Sequence, residues 1–322
     1  MSNEFPPYVG DSTVFLVKDG KVMATAFIVG IRDNPADTNS RSLYLVTARH
    51  NIERAGANTV LKARHNLKNG TYLEGEYNTD KFFQHPTTDI AVHPLRIAKQ
   101  LAASGAELLH YGWDDYTMLR RDEIEDGAVS WGSEVVVTSM FQFHTGITTM
   151  QSIQRFGKIA MIPKEQILVS VGASKQFIEA ILIETMVWPG ASGAPVFTNR
   201  SKQGTSIYDK IPIRLLGLVS SHFEITTKDK SDKSIDRLAT KIAEEAGKRK
   251  EDNNRETIPD ESVDTKGNTN APYDEEVEIG KVHVNTGITV VIPAYQIREF
   301  LLKVHKDLNG WLPVNTNFWE LQ

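Results

Sequence analysis

The sequence has 322 residues, and not one of them is cysteine. This absence excludes disulfides, thiolate nucleophiles and cysteine-ligated metal sites. The histidines, other than the one discussed below, do not show the spacing of metal ligands, and we interpret them as surface or core residues. We therefore expect neither a metal nor any other cofactor.

The sequence also lacks an excess of basic charge and a long apolar run. Its formal net charge is −5 and its pI is near 6.0, so we expect no nucleic-acid partner. No apolar run approaches the roughly 18 residues that cross a bilayer. The first residues lack the basic region and apolar core of a signal peptide. Together these features predict a cytoplasmic protein without membrane contacts.

Short apolar segments separated by turn residues make up most of the chain. Asp19-Gly20 and Asn69-Gly70 are dipeptides typical of tight hairpin turns. Many short strands at close spacing indicate a barrel or a sandwich. We predict a polar loop at 33–41, a helical stretch at 96–109, a helix after Pro293, and strands at 13–17, 22–29, 43–47, 59–63, 71–76, 89–92, 134–139, 158–162, 167–171, 180–185, 194–197, 215–220 and 287–292.

Residues 224–280 break this β pattern. They are rich in Lys, Asp, Glu and Asn and have almost no aromatic residue, which predicts a solvated surface insertion. Apolar residues between Ile235 and Ala246 recur at helical spacing and predict one helix there. The alternative interpretation is a lid or a binding site for a regulatory partner. The aromatic residues of the tail, 306–322, are expected to pack on the protein's own surface.

Three stretches carry residues suited to nucleophilic catalysis. Ser192 lies among small residues in WPGASGAPVF at 188–197, where a hydroxyl is displayed rather than packed. A serine needs a base and an orienting carboxylate to become a nucleophile. His50 follows a predicted strand, and Asp89 begins another. Each stretch is a weak signal alone, whereas their joint occurrence is a strong one.

In this order the stretches TARH (47–50), TDIAV (88–92) and GASGAP (190–195) resemble the chymotrypsin/trypsin-like serine peptidases, most closely the protease domain of high-temperature-requirement peptidases. LGLVS (216–220) and TGITVVIP (286–293) support this match. The resemblance implies an all-β fold of two six-stranded antiparallel barrels with a C-terminal helix and a charged, partly helical insertion. The expected divisions are a first barrel with linker at 1–125, a second barrel at 126–305 containing the insertion 224–280, and the tail 306–322.

The resemblance also implies a function and a set of roles. The chain would be a serine endopeptidase that cleaves a protein or peptide substrate through an acyl-enzyme. Ser192 would attack, His50 would transfer its proton, and Asp89 would orient the imidazole. The backbone N–H groups of Gly190 and Ser192 would bind the oxyanion. Ser220 would donate a hydrogen bond to Asp89.

The specificity pocket is expected to involve Met186, Val187, Ser221 and His222. Met186, six residues before the serine, would lie at the base, where an apolar side chain offers no partner for Lys or Arg. We therefore expect a small or medium apolar residue at the cleaved position. His222 is either a rim residue or a reader of an acidic or polar side chain.

Two further expectations concern control of the site. Ala191 stands where extracellular members of the family carry an aspartate, so activation by N-terminal cleavage is not expected. A second hypothesis keeps the fold and makes the protein a binding or sensing module with a latent or occluded cleft. The position of the insertion next to a pocket-wall strand motivates this alternative.

Overall fold

A computed structural model describes residue 5 and residues 7–34, 37–109, 117–172, 174–199, 213–226 and 283–309. The chain divides into two compact units, Met1–Phe223 with Gly287–Gln322, and Glu224–Thr286. Of the second unit, the structure describes only the adjoining ends of two strands. The helix predicted between residues 235 and 246 and the tail beyond residue 309 lie outside the described residues, as does most of the insertion.

Strands dominate the described residues. They are β1 (Thr13–Lys18), β2 (Lys21–Asn34), β3 (Asp37–Thr47), β4 (Val60–Asn66), β5 (Tyr72–Asn78), β6 (Phe83–Gln84), β7 (Ala91–Pro94), β8 (Glu134–Met140), β9 (Ser152–Met161), β10 (Ile167–Val171), β11 (Ser174–Ile178), β12 (Ile181–Glu184), β13 (Pro195–Asn199), β14 (Ile213–Thr226) and β15 (His283–Pro293). The helices are α1 (Arg49–Ala55), α2 (Ala98–Ser104), α3 (Arg121–Glu125) and α4 (Ala294–Asn309). Each predicted strand overlaps an observed one. None of the described helices is long and apolar enough to span a membrane.

The first seven strands form one antiparallel sheet in the order β5-β4-β1-β2-β3-β7-β6. Asp19 and Gly20, with φ of 51° and 76°, make the predicted turn between β1 and β2.

The polar loop predicted at 33–41 is wrong, because β2 and β3 continue pairing as far as Asn34 and Asp37. Polar residues can pair as strands beyond the core when their side chains find partners. Ser42 shows this by donating to Asp33 across the hairpin at 2.5 Å.

The second set of strands closes into a barrel in the order β12-β15-β14-β13-β8-β9. Branched side chains at alternating positions of its strands fill the interior, as Val135 and Val137 do on β8. Strands β10 and β11 form a separate hairpin. The predicted all-β fold with a C-terminal helix is confirmed. The first sheet has seven strands and is curled without closing, whereas the second is a closed six-stranded barrel. The boundary expected near residue 125 stays a prediction.

An apolar cluster joins the first sheet, the second barrel and α4. Phe27 and Val46 of the first sheet lie in the same cluster as Phe197 and Leu218 of the barrel, and Leu301 of α4 packs there as well. Burial of this surface stabilises the association of the two β structures. The ends of their strands are thereby kept at fixed positions.

Candidate active site

His50 and Asp89 lie at the same end of the first sheet. Strand β3 ends at Thr47 and β7 begins at Ala91, and these two residues are antiparallel partners. His50 follows the first by three residues and Asp89 precedes the second by two, so the register brings their side chains together. His50 Nδ1 lies 2.8 Å from Asp89 Oδ2, and the His50 backbone N–H donates to Asp89 Oδ1 at 2.9 Å.

The environment of Asp89 favours its ionised form. Its side chain is 0 % exposed, and burial by itself opposes ionisation. Hydrogen bonds from the His50 ring, from the Ser220 hydroxyl at 2.6 Å and from the His50 backbone outweigh burial and hold the pKa of this carboxyl below its usual value. An ionised Asp89 only accepts, so His50 Nδ1 carries the proton and Nε2 is left as an acceptor.

Ser192 lies in the turn that precedes β13 in the second barrel. Its hydroxyl oxygen is 2.8 Å from His50 Nε2, and it also lies 2.9 Å from the backbone carbonyl of Ser220. Antiparallel pairing of Pro195 with Leu218 sets the position of Ser220 beside this turn. The single hydroxyl proton therefore has two acceptors, one of which is the imidazole. This arrangement can pass a proton from the serine to His50.

The turn before Ser192 is built from Trp188, Pro189, Gly190 and Ala191. The Ala191 N–H donates to the Trp188 carbonyl at 3.0 Å, and Gly190 has a φ of +93°. Proline followed by a glycine with positive φ is the signature of a type II turn. Within the described part of the chain, the backbone N–H groups of Gly190 and Ser192 have no hydrogen-bond partner. Two donors are thus available beside the serine hydroxyl.

Gly193 lies where a side chain does not fit. Its φ is +82°, and a Cβ there would lie 2.2 Å from the Thr25 carbonyl oxygen and 2.3 Å from Thr47 Oγ1. Its own N–H donates to the Val219 carbonyl at 2.8 Å. Glycine lets the turn that contains Ser192 approach the first sheet at backbone distance.

The residues expected to form the specificity pocket differ in burial. Val187 is buried in the core of the second barrel, whereas Met186 is 55 % exposed. The extended chain after β12 alternates inward and outward, so Met186 points away from the core that holds Val187. The expectation that Met186 lies at the base of the specificity pocket stays a prediction. Ser221 and His222 lie half-buried on β14, one and two residues after Ser220.

Sequence reasoning missed a group of buried polar residues around the serine. The Ser192 carbonyl accepts from Asn51 Nδ2 at 3.0 Å and from the Thr25 N–H at 3.2 Å. Asn51 also donates to Thr47 Oγ1, which in turn donates to the Thr25 carbonyl. The available signal is a polar residue at a position where the pattern predicts burial. Thr25 is one such residue, because it interrupts the apolar strand 22–29.

His85 was interpreted as a surface or core residue, and the structure gives it a local role. Its Nδ1 accepts from the Thr88 N–H at 2.9 Å and lies 3.3 Å from the Thr87 N–H. Burial, with the charge of Arg49 nearby, lowers the pKa of this imidazole and favours the neutral acceptor form. The ring orders the loop that leads into Asp89.

No protein-family profile matches the chain, and no curated protein matches it in sequence. Solved structures align with it at low sequence identity. The MamO protease domain from Magnetospirillum magneticum is 13% identical over 67% of this chain and 86% of that one, with a TM-score of 0.40. Rv3671c from M. tuberculosis H37Rv, solved in an inactive form as a serine-to-alanine mutant, is 16% identical. The alignment covers 67% of this chain and 81% of that one, with a TM-score of 0.36.

Neuropsin, a serine protease expressed in the limbic system of mouse brain, is 13% identical over 69% of this chain and 86% of that one, with a TM-score of 0.38. A fold by itself does not establish an activity. What the site does is therefore argued from its own geometry.

Proposed function

We propose that the chain is a serine endopeptidase that hydrolyses peptide bonds through an acyl-enzyme. The observation that carries this proposal is the continuous hydrogen-bonded chain from the Ser192 hydroxyl through His50 to Asp89, with 2.8 Å at both side-chain steps. This set of neighbours activates a serine for attack on a carbonyl. The N–H groups of Gly190 and Ser192 are suitable donors for the oxyanion.

In the proposed reaction, Ser192 Oγ attacks the carbonyl carbon of the substrate while His50 Nε2 takes its proton. Asp89 stabilises the imidazolium that forms, and the two N–H groups bind the negatively charged oxygen. The tetrahedral intermediate then expels the amine, which receives the proton from His50. Water attacks the remaining acyl group with His50 again as base, releasing the acid and restoring Ser192.

Several expectations remain predictions beside this proposal. They are a small or medium apolar residue at the cleaved position, a cytoplasmic location and a regulatory partner at the insertion. The hypothesis of a binding or sensing module with an occluded cleft depends on residues 224–280, of which the structure describes only 224–226.

The proposal is tested with a fluorophosphonate probe on the full chain. The native protein should be labelled covalently at Ser192, and Ser192→Ala should not be labelled. Turnover of peptide substrates by Ser192→Ala should fall by about 10⁴ to 10⁶. Ser104→Ala is a matched control, because that exposed hydroxyl donates to the Leu101 carbonyl, accepts from the Ala106 N–H and makes no hydrogen bond to the three site residues, and labelling of this variant should equal that of the native protein.

Labelling at a serine other than Ser192 would contradict the proposed role of this residue. A native protein that is well folded and remains unlabelled would contradict the function itself. Circular dichroism and thermal unfolding of the same samples distinguish an inactive fold from a misfolded one. Both measurements use the protein without any truncation.

A further inference from the structure

We propose that Thr25 is a positioning residue that holds the two oxyanion donors of the second barrel in place. Thr25 lies on β2 of the first sheet and is fully buried. It contacts the carbonyl groups of both residues whose N–H groups would bind the oxyanion, Gly190 and Ser192. The inference rests on the proposed serine endopeptidase function, and none of the sequence motifs contains this residue.

The hydroxyl of Thr25 makes two hydrogen bonds in opposite roles. It donates to the Gly190 carbonyl at 2.7 Å, and it accepts from the Met140 backbone N–H at 3.2 Å. Met140 is the last residue of β8, and its side chain occupies the space in which a Gly190 Cβ would lie. One hydroxyl therefore connects the first sheet to two segments of the barrel.

This bond determines the orientation of the peptide between Gly190 and Ala191. The carbonyl of that peptide is held by Thr25, and its N–H is held by the Trp188 carbonyl. A peptide held at both ends is a fixed reference for the φ and ψ rotations that orient its neighbours, and the Ala191 carbonyl of the next peptide is itself held by the Ala194 N–H at 2.9 Å. Those neighbouring peptides carry the N–H groups of Gly190 and Ser192. Preorganised donors of this kind lower the barrier because they need no reorientation during the reaction.

The backbone of Thr25 restrains the other side of the nucleophile. Its N–H donates to the Ser192 carbonyl at 3.2 Å, and its carbonyl accepts from Thr47 Oγ1 at 2.8 Å. Backbone contacts survive a change of side chain, so the hydroxyl can be tested separately. Substitution of Thr25 by valine keeps the shape and removes only the hydroxyl.

The test compares native protein with Thr25→Val and Thr25→Ser. The readouts are the labelling rate with a fluorophosphonate at saturating probe, and kcat and KM for p-nitrophenyl acetate. We expect Thr25→Val to lower the maximal labelling rate and kcat by about 10-fold to 100-fold, with KM within about threefold, because one oxyanion donor is worth about 10² to 10³ in rate. Thr25→Ser, which keeps the hydroxyl, should stay within about threefold of the native values.

Thr13→Val is the matched control. The Thr13 and Thr138 hydroxyls form a buried hydrogen bond of 2.9 Å between β1 and β8, away from residues 190–192. Loss of either buried hydroxyl should lower Tm by a few degrees, about 2–4 °C. Only Thr25→Val should lower kcat. If Thr25→Val does not fold, Thr25→Ala removes the same hydroxyl and should show the same kinetic loss.

The inference is overturned if Thr25→Val keeps native kcat and labelling, if Thr25→Ser is as impaired as Thr25→Val, or if Thr13→Val loses kcat equally. In each of these cases the native protein is still labelled at Ser192, so the proposed function survives. A native protein that is not labelled removes the proposed function, and this inference with it. The two failures are therefore distinguishable.

Discussion

The two β structures contribute to the site in different ways. His50 and Asp89 come from the ends of neighbouring strands in one sheet, and the register of those strands brings them together. Ser192 lies in a turn of the second barrel, yet its carbonyl bonds to Thr25 of β2 and to Asn51 of α1, the helix that follows β3. The pairing of His50 with Asp89 therefore depends on one sheet, whereas the position of Ser192 depends on both β structures.

The largest expected effect comes from breaking the pair within the first sheet by Asp89→Asn. An asparagine presents its NH₂ to His50 Nδ1, which moves the ring proton to Nε2 and leaves no acceptor for the Ser192 hydroxyl. We expect kcat to fall by about 10⁴ with the fold retained. Kinetics on an activated ester, with a thermal unfolding curve as reference, measure this change.

Asp80→Asn is the control for that charge removal. Asp80 is exposed and accepts from the Asn58 backbone N–H at 3.0 Å, much as Asp89 accepts from the His50 N–H. It has no contact with the three site residues, so its kcat should match the native value. An unchanged kcat in Asp89→Asn would mean that His50 does not depend on this carboxylate.

The contact between sheet and barrel is broken by Gly193→Ala. An alanine methyl would lie 2.2 Å from the Thr25 carbonyl oxygen at a φ of +82°, so the turn must move away from the first sheet. We expect kcat to fall by about 10² to 10³, because both the serine and its oxyanion donors are displaced. The unfolding free energy should fall by a few kcal/mol, about 2–4.

Gly70→Ala separates backbone strain from this contact. Gly70 has nearly the same φ, +83°, and nothing lies within 4 Å of its hypothetical Cβ. We expect a loss of stability of about 1–2 kcal/mol and an unchanged kcat. Equal kinetic losses in the two variants would show that strain alone, rather than the approach of barrel to sheet, explains the effect.

The smallest expected effect is a difference between the first sheet and the second barrel in stability at acid pH. His65 of β4 is fully buried, and burial lowers its pKa to about 3. The unfolded chain, with an imidazole pKa near 6.5, binds the proton first. The free energy of unfolding is therefore unaffected by His65 above about pH 6.5. As the pH falls from there toward 3, protonation of His65 in the unfolded chain lowers this free energy by at most about 1.4 kcal/mol per pH unit.

The slope of the unfolding free energy with pH reports the number of protons taken up on unfolding. His65→Leu should lower that number by up to one, as measured by denaturant unfolding between pH 4 and pH 8. His93, the other buried histidine of the first sheet, lies in the same ring cluster around Tyr77. Hydrogen exchange should therefore show the first sheet losing protection at a higher pH than the second barrel. Simultaneous loss in both would contradict a separate acid sensitivity of the first sheet.

Local pattern was sufficient for much of the fold. Alternating apolar residues predicted strands that overlap the observed ones, and Asp19-Gly20 predicted its turn correctly, because both signals depend on neighbours in sequence. The polar loop at 33–41 was wrong because hairpin pairing is a backbone property that tolerates polar side chains. The exposure of Met186 was not predictable, because the inward or outward direction of its side chain depends on the register of the chain that follows β12.

The candidate site also contains residues that the sequence predicted and residues that it did not. Motif order alone named Ser192, His50 and Asp89, and hydrogen bonds of 2.8 Å connect Ser192 to His50 and His50 to Asp89. The polar residues that restrain the serine carbonyl, Thr25 and Asn51, have no motif. Their partners are more than 100 residues away in sequence, and periodicity carries no information about contacts at that separation.

The sequence by itself determined the residue types of the site, the strand-rich fold and the glycines that permit the turn around Ser192. Those properties follow from side-chain chemistry and from backbone preferences of single residues and their neighbours. Only the tertiary structure decided which first-sheet groups meet the turn of the second barrel. That decision depends on the packing of a shared apolar cluster, which sets the distance between strand ends far apart along the chain.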